Sequence, residues 1–334
     1  MQEKWAHRAD LAESAINERH ATRLWGIPRT NLAVVSWPPT TKERLFVHWH
    51  YWWQAHYLDC QVDAALRRAT RARRTRIRDT ITGIRIRNLS KLTKNNYYDD
   101  KAWLALAMDR AGHLDKVSPT KALAPLEENI VAGIDSLTGV LPWRTGETFY
   151  NVPSNGPAAI MMARTGRLAE ARKVTDWMFD HLLNDDGLMM DGLRMRMHGP
   201  EIVENLHPYC QGVALGACLE ISLALREQAG FDHTDEIVDV HDAERADEAM
   251  IYLTRIRGLV QAVAVHMATP AGVIDWDTGD GDGGLFKGIL VRYLADVAVR
   301  LPADSPANRA VKKIAARLVT ASAHSVWNLR LEVD

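Results

Sequence analysis

The sequence lacks an excess of charge of either sign, and it lacks a long apolar run. Its 41 lysine and arginine residues nearly balance 42 aspartate and glutamate residues, which gives a formal net charge of -1. A protein that binds a phosphate backbone needs a basic surface, so nucleic acid is disfavoured as a partner. No uncharged apolar stretch approaches the ~20 residues of a membrane-spanning helix. The sequence therefore predicts a chain with no membrane span that binds a small or neutral ligand.

Cysteine is scarce, and its number is odd. Cys60, Cys210 and Cys218 show no spacing typical of a disulfide framework, and unpaired thiols suit a reducing compartment. The N-terminal stretch MQEKWAHRADLAESA carries acids where a signal peptide needs an unbroken apolar segment. We therefore expect a soluble, cytoplasmic protein, and an export segment upstream of Met1 in the native gene product would change this expectation. Nothing in the sequence indicates an oligomeric state.

Strict alternation of apolar and polar residues, which marks a half-buried strand, is also scarce, and helical spacing takes its place. From Leu45 to Cys60, apolar and aromatic residues recur every three or four positions, which predicts one face of a helix. The same spacing predicts helices over residues 4–24, 99–111, 168–183, 211–225, 243–267, 286–299 and 307–327.

The arrangement of these helices indicates a fold class. No break in composition marks a domain boundary and no repeat of fixed period is present, so we expect a single domain over residues 1–334. About a dozen helices joined by short loops suit an all-α, closed toroid of helix pairs. In such a toroid the loops gather at one end and supply a polar, aromatic cleft.

Three segments that resemble other kinds of site are better explained as structure. The arginine-rich residues 67–88 are spread around a predicted helix and form a solvated face. The stretch DWDTGDGDGG at 275–284 lacks the acid and glycine register of a calcium loop and is interpreted as a glycine-rich cleft loop. His48, His50 and His56 lack the spacing of a zinc helix, so we expect neither a metal nor a cofactor.

The stretch NNYYDDKAW at 95–103 places two carboxylates, Asp99 and Asp100, at the start of a predicted helix. One interpretation is structural, in which one acid caps the helix and the other favours its dipole. The other is a catalytic pair, because adjacent residues can hold two carboxyl groups at the roughly 5 to 5.5 Å of a retaining glycosidase. Tyr98 is then a candidate to contact substrate or orient a carboxylate, whereas Lys101 is expected to be solvated and turned away from the acids.

The segment YYDDKAWLALA at 97–107 resembles the signature of glycoside hydrolase family 76, the endo-acting α-1,6-mannanases, whose catalytic residues are two consecutive aspartates. Other blocks of that family follow the same order along most of the chain. They are WWQAH at 52–56, WRTGETFYNVPSN at 143–155, DGL at 191–193, PYCQGVALGA at 208–217 and GLFKGILVRYL at 284–294.

The resemblance implies a single (α/α)6 barrel, retention of anomeric configuration and no metal. It implies that Asp99 is the nucleophile and Asp100 the general acid/base. It also implies a set of substrate-binding residues that match cleft positions of the family, namely Asn151, Asn155, Asp191, Tyr209 and Gln211.

Two departures from the family pattern put linkage length and sugar specificity in doubt. Phe149 and Tyr150 stand where the family more often has Tyr-Lys, and residues 207–212 read HPYCQG where it has Trp-Thr-Tyr-Asn-Gln-Gly. Cys210 is accordingly either a weakened distal sugar contact or a small buried helix residue.

We therefore expect a retaining endo-α-1,6-mannanase that acts on α-mannan or a mannose-containing oligosaccharide. The alternatives are another helical-toroid sugar enzyme, such as an epimerase with basic histidines in its cleft, and a catalytically silent glycan-binding relative.

Overall fold

Helices dominate the computed structural model, which describes residues 2–114, 117, 120–230, 240–276 and 281–330. The chain divides into two compact units, Met1–Gly133 and Ile134–Asp334. The single domain over residues 1–334 stays a prediction, and each unit is described by itself.

The first unit is built mainly from helices. Its elements are α1 (Gln2–His20), β1 (Ala21–Thr22), β2 (Leu32–Ala33), α2 (Thr41–Arg44), α3 (Tyr51–Arg67), α4 (Arg71–Arg87), α5 (Tyr98–Gly112) and α6 (Thr120–Val131). Helix α3 packs against α4 and α5, and α5 packs against α6, whereas β1 and β2 form a short antiparallel pair.

The second unit combines helices with one antiparallel sheet. Its elements are β3 (Phe149–Asn151), α7 (Val152–Arg164), α8 (Leu168–Leu182), β4 (Met190–Arg196), β5 (Gly199–Leu206), α9 (Pro208–Gln228), α10 (Val240–His266), α11 (Gly283–Arg300) and α12 (Pro306–Asn328). The strand order in the sheet is β3-β4-β5.

Helix α9 is the centre of the second unit, where it packs against α7, α10 and α11. Among the described residues it alone is long and apolar enough to cross a membrane, with a mean hydropathy of 1.3. Because 83% of that apolar window is buried inside the protein, α9 has the surroundings of a core helix.

Each predicted helix is present, and most ends agree within a few residues. The helix predicted from Leu45 is the exception, because α3 begins only at Tyr51. Phe46 and His50 have positive φ values of 52° and 44°, a conformation that cannot continue a right-handed helix. The apolar spacing before Tyr51 therefore belongs to a turn.

The sequence did not predict the hairpin of β4 and β5. Most of β5 is exposed, so no set of its residues faces a core and apolar alternation does not develop. The arginine-rich segment forms α4 as expected, but Arg73 is buried and pairs with Asp10 at 2.6 Å and with Glu13. Within the stretch at 275–284, residues 277–280 lie outside the described residues, so the predicted cleft loop stays a prediction.

The contact between α7 and α9 leaves no space for a side chain at Gly156. A Cβ atom there would lie 2.3 Å from Cγ2 of Val213. We predict that Gly156→Ala lowers the free energy of unfolding by about 1 to 3 kcal/mol, as overpacking does. Gly258→Ala on α10, where a Cβ would meet nothing within 4 Å, should instead stabilise by up to ~1 kcal/mol. Urea unfolding of both variants measures the difference, and equal effects would contradict the close packing at Gly156.

Candidate active site

Asp99 and Asp100 lie in the first turn of α5, and both side chains are half-buried. The helix is preceded by Tyr97 at the N-cap position, and no side chain caps it there. The structural interpretation in which one of the two acids is the N-cap is therefore wrong. Both carboxylates nevertheless lie at the positive end of the helix dipole, which favours their negative charge.

Hydrogen bonds hold both carboxylates. Oδ1 of Asp99 accepts a hydrogen bond from the main-chain N–H of Asp100 at 2.9 Å. Oδ2 of Asp100 accepts one from Nδ2 of Asn95 at 2.7 Å, while Oδ1 of Asn95 accepts one from the main-chain N–H of Tyr97 at 2.8 Å. Asn95 thus links the turn before α5 to the second carboxylate, a role that the sequence analysis did not assign to it.

Lys101 is not solvated, contrary to the prediction. Only 2% of the residue is exposed, and Nζ donates a hydrogen bond to Oδ1 of Asn129 at 2.8 Å. Burial lowers the pKa of Lys101 to about 8, while the charges of Asp100 and Asp99 oppose this shift. A buried ammonium group therefore lies within electrostatic reach of both acids.

Aromatic residues surround the acid pair within the first unit. Tyr98 is buried, and its ring centroid lies 3.7 Å from Nζ of Lys101, a cation–π contact. Tyr51 on α3 donates its hydroxyl to the carbonyl of Leu92 at 2.8 Å, and burial together with Asp100 raises its pKa well above the usual value. The predicted contact of Tyr98 with substrate stays a prediction, because its observed partner is Lys101.

In the second unit, the predicted binding residues Asn151 and Asn155 are buried and bonded to main chain. Oδ1 of Asn151 caps α7 by accepting a hydrogen bond from the N–H of Ser154 at 3.2 Å. Asn155 bonds both main-chain groups of Leu141, with its Oδ1 at 2.8 Å from the N–H and its Nδ2 at 2.9 Å from the carbonyl. These amides brace the start of α7, and their predicted contact with a sugar stays a prediction.

Gln211 has the same kind of environment on α9. Its Oε1 accepts a hydrogen bond from the N–H of Met189 at 2.7 Å, and its Nε2 donates to the Met189 carbonyl at 2.8 Å. Cys210 beside it is fully buried, which confirms the interpretation of this residue as a small buried helix residue. Burial, and next the charge of Asp191, raise the pKa of the Cys210 thiol well above its usual value.

Asp191 lies half-buried on β4, directly before the residues of β4 that pair with β3. The next residue, Gly192, pairs with Asn151, and a Cβ atom there would lie 2.6 Å from the carbonyl oxygen of Tyr150. The DGL motif therefore needs its glycine for strand packing, and this packing fixes the position of Asp191.

Tyr209 belongs to an aromatic cluster at the start of α9 and α11. Its ring stacks on Phe286 with centroids 3.9 Å apart and planes at 5°, and the His207 ring lies 5.3 Å from the Phe286 ring and 5.7 Å from the Tyr209 ring. Burial lowers the pKa of His207, which favours a neutral ring. Phe286 was not predicted as a site residue, although it lies in the block GLFKG.

The part of the chain that the structure describes contains no cluster of side chains suited to bind a metal ion. No three or more His, Cys, Asp and Glu side chains are grouped there in a way that could hold an ion. The predicted absence of a metal and of any cofactor stays a prediction.

Solved structures share this fold. An α-1,6-mannanase from Salegentibacter sp. HEL1_6 matches with a TM-score of 0.80 and 24% identity, over 98% of this chain and 89% of that chain. An inactive variant of the same enzyme, with two consecutive aspartates replaced by asparagine and bound to α-1,6-mannotriose, matches with a TM-score of 0.78 and 23% identity, over 98% and 89%. A family 76 glycoside hydrolase from a bovine Bacteroides thetaiotaomicron strain matches with a TM-score of 0.66 and 12% identity, over 97% and 78%.

Comparison with curated protein sequences gives no match. The structural matches confirm the predicted fold class, which is all-α of the (α/α)6 barrel type. The family model "Glycosyl hydrolase family 76" matches residues 34–328. Because this match covers most of the 334 residues, the chain belongs to glycosyl hydrolase family 76 and is a glycoside hydrolase.

Proposed function

We propose that this chain is a retaining endo-α-1,6-mannanase with Asp99 as nucleophile and Asp100 as general acid/base. The observation that carries the proposal is the pair of adjacent carboxylates in the first turn of α5, both held by hydrogen bonds from fixed donors. A glycosidase that retains configuration needs two carboxyl groups close together, one ionised and one protonated.

Asp99 has the surroundings of an ionised nucleophile. The N–H of Asp100 donates to its carboxylate at 2.9 Å, and the helix N-terminus favours negative charge. In the first step an Asp99 oxygen forms a bond to the anomeric carbon while the glycosidic C–O bond breaks. The electron pair of the broken bond goes to the leaving oxygen, and Asp100 gives that oxygen its proton.

Asp100 then acts as a base in the second step. It takes a proton from water as the water oxygen bonds to the anomeric carbon, and the ester bond to Asp99 breaks. Both carboxyl groups return to their starting protonation states. Two inversions at the anomeric carbon give a product with the configuration of the substrate.

The solved relatives support the choice of substrate. The Salegentibacter enzyme is described as an α-1,6-mannanase, and its variant with two replaced aspartates is inactive and bound to α-1,6-mannotriose. In this chain Tyr209, together with Phe286, is the proposed sugar-stacking surface, because an aromatic face covers the apolar side of a pyranose. Within the second unit, Asp191 is the proposed polar contact with the sugar, and Asn151, Asn155 and Gln211 brace the main chain around α7 and α9. A cytoplasmic location also stays a proposal.

An assay on polymer and free sugars separates this function from its alternatives. With linear α-1,6-mannan, an endo-mannanase yields a series of shortened oligosaccharides. An epimerase-like enzyme instead converts free sugar and leaves the polymer intact, and a silent relative binds mannan without turnover. A chain that leaves α-1,6-mannan unchanged would contradict the proposal.

The catalytic pair makes a direct prediction. Asp99→Asn and Asp100→Asn should each keep the fold and lower kcat on α-1,6-mannan by on the order of 10²–10⁴-fold or more, because a covalent step or a proton transfer is lost. The matched control is the second adjacent pair, Asp185 and Asp186, whose side chains are exposed in a turn. Asp185→Asn and Asp186→Asn should keep wild-type turnover. Either site variant with near-wild-type turnover would remove that residue from the mechanism.

Stereochemistry is a second prediction. The product formed first from α-1,6-mannan oligosaccharides should have the α configuration, because a covalent intermediate on Asp99 inverts the anomeric carbon twice. Proton NMR during the first turnovers reads this configuration before the product mutarotates. Initial β product would show direct attack by water, and Asp191 would then be the first residue to test as its base.

The lowered pKa of Lys101 predicts how the free energy of unfolding depends on pH. Its pKa is 10.5 in the unfolded chain and about 8 in the folded protein, so between these values the unfolded chain holds a proton that the folded protein has lost. Stability rises with pH wherever the unfolded state binds more protons. The quantity to compare is the free energy of unfolding of wild type minus that of Lys101→Met. We predict that this difference rises by roughly 2 kcal/mol when the pH is raised from about 7.5 to 9.5. Urea unfolding at both values measures this, and a difference that stays constant with pH would contradict a buried, charged Lys101.

A further inference from the structure

We propose that Asn95 is a positioning residue that fixes which oxygen of Asp100 carries the catalytic proton. Its Nδ2 lies 2.7 Å from Oδ2 of Asp100, and its Oδ1 lies 2.8 Å from the main-chain N–H of Tyr97. Asn95 has this catalytic consequence only within the mannanase mechanism proposed above, whereas the contact itself does not depend on that mechanism.

The orientation of the Asn95 amide follows from its neighbour. A main-chain N–H can only donate a hydrogen bond, so the atom that faces Tyr97 must be the carbonyl oxygen of the amide. The NH2 group is consequently the end that faces Asp100. The two ends of an asparagine amide are nearly isosteric, and here the bond to Tyr97 distinguishes them.

This orientation constrains the protonation of Asp100. The NH2 group can only donate, so Oδ2 of Asp100 must accept, either as a charged carboxylate oxygen or as the carbonyl oxygen of the acid. The carbonyl oxygen of a neutral acid accepts a hydrogen bond much more strongly than its hydroxyl oxygen does, so the proton of the neutral acid resides on Oδ1. The same hydrogen bond serves both states of Asp100, so the carboxyl group need not rotate between the acid step and the base step.

A helix-start role alone does not account for both contacts. The bond between Asn95 and the N–H of Tyr97 is an Asx-type turn, which already satisfies the chain before α5. The second bond, from Nδ2, lies outside that turn and ends on a residue of the proposed mechanism. Variants that keep the first bond and change the second can therefore separate the two roles.

Two substitutions have this property. Asn95→Asp keeps an oxygen acceptor for Tyr97 and replaces the donor with a carboxylate that repels Asp100. In Asn95→Ser, the serine hydroxyl can still accept a hydrogen bond from the N–H of Tyr97, because serine also forms turns of this kind. The serine side chain is too short to reach Asp100. Asn95→Ser adds no charge, so it can still be measured if the added charge of Asn95→Asp disturbs folding. Asn96→Asp, at the exposed neighbouring position, is the control for added charge.

Kinetics should separate positioning from general damage. In α-1,6-mannotetraose the leaving sugar oxygen needs a proton from Asp100, whereas in a dinitrophenyl α-1,6-mannobioside the leaving phenolate does not. For both Asn95 variants, kcat/KM on mannotetraose should fall about 10- to 100-fold, part of the range expected for acid catalysis. On the aryl substrate kcat/KM should stay within about threefold of wild type, and Asn96→Asp should match wild type on both. An equal loss on the two substrates would overturn the positioning role.

Titration of Asp100 gives a readout that does not need a substrate. In the full chain labelled with ¹³C at aspartate carboxyl carbons, the signal absent from Asp100→Asn identifies Asp100. Its midpoint should rise in Asn95→Ser, which loses a donor to the charged form, and rise further in Asn95→Asp. The charged or titratable groups of the native chain near Asp100, namely Asp99 and Lys101 on α5 and Tyr51 on α3, are unchanged in both Asn95 variants, so a shift reports the change at residue 95.

The outcomes distinguish the two proposals. Wild type that leaves mannan, mannotetraose and the aryl substrate intact contradicts the mannanase function, and the carboxyl titration then still decides whether Asn95 holds Asp100. A midpoint that is unchanged in both Asn95 variants contradicts the contact. Active wild type with unchanged variants contradicts the role of Asn95 and leaves the mannanase function standing.

Discussion

Repulsion between two adjacent carboxylates is the constraint on which this site depends. Two unit charges ~5 Å apart at an effective dielectric constant near 20 repel by about 3 kcal/mol. The structure surrounds Asp99 and Asp100 with groups that offset this cost, namely a main-chain N–H, the Asn95 amide and the buried ammonium of Lys101. Because these groups differ for the two acids, the pair is asymmetric, as the proposed division into a nucleophile and an acid requires.

The helices and the acid pair were predictable because their signals are local. Apolar residues at helical spacing predict a helix wherever one face is buried, and this holds from α5 through α12 for each helix that was predicted. The same signal fails before Tyr51, where positive φ angles interrupt it, and at β5, where exposure removes the pattern. These are places where tertiary context, rather than spacing, decides the backbone.

The roles of the polar site residues were harder to predict. The side-chain amides of asparagine and glutamine can form hydrogen bonds with sugar hydroxyls or with main-chain groups. The sequence does not show which of these groups each amide faces. Asn155 and Gln211 are fully buried, so their polar atoms need internal partners, and they find them in the main chain of Leu141 and Met189. Lys101 was also difficult to predict. Its charge predicts a side chain exposed to solvent, whereas in the structure its ammonium group contacts Asn129 and the ring of Tyr98.

The departures from the family pattern at Phe149, Tyr150 and Cys210 lie close to Asp191 within the second unit. Phe149 and Tyr150 are buried on β3, which pairs with β4 next to Asp191, and Cys210 is buried close enough to Asp191 to feel its charge. All three side chains are buried. What these departures change directly is therefore the packing around Asp191. At His207 the family's tryptophan is absent, and the His207 ring packs against the Tyr209–Phe286 stack. This departure therefore alters an aromatic cluster, whereas the departure at Cys210 alters buried packing.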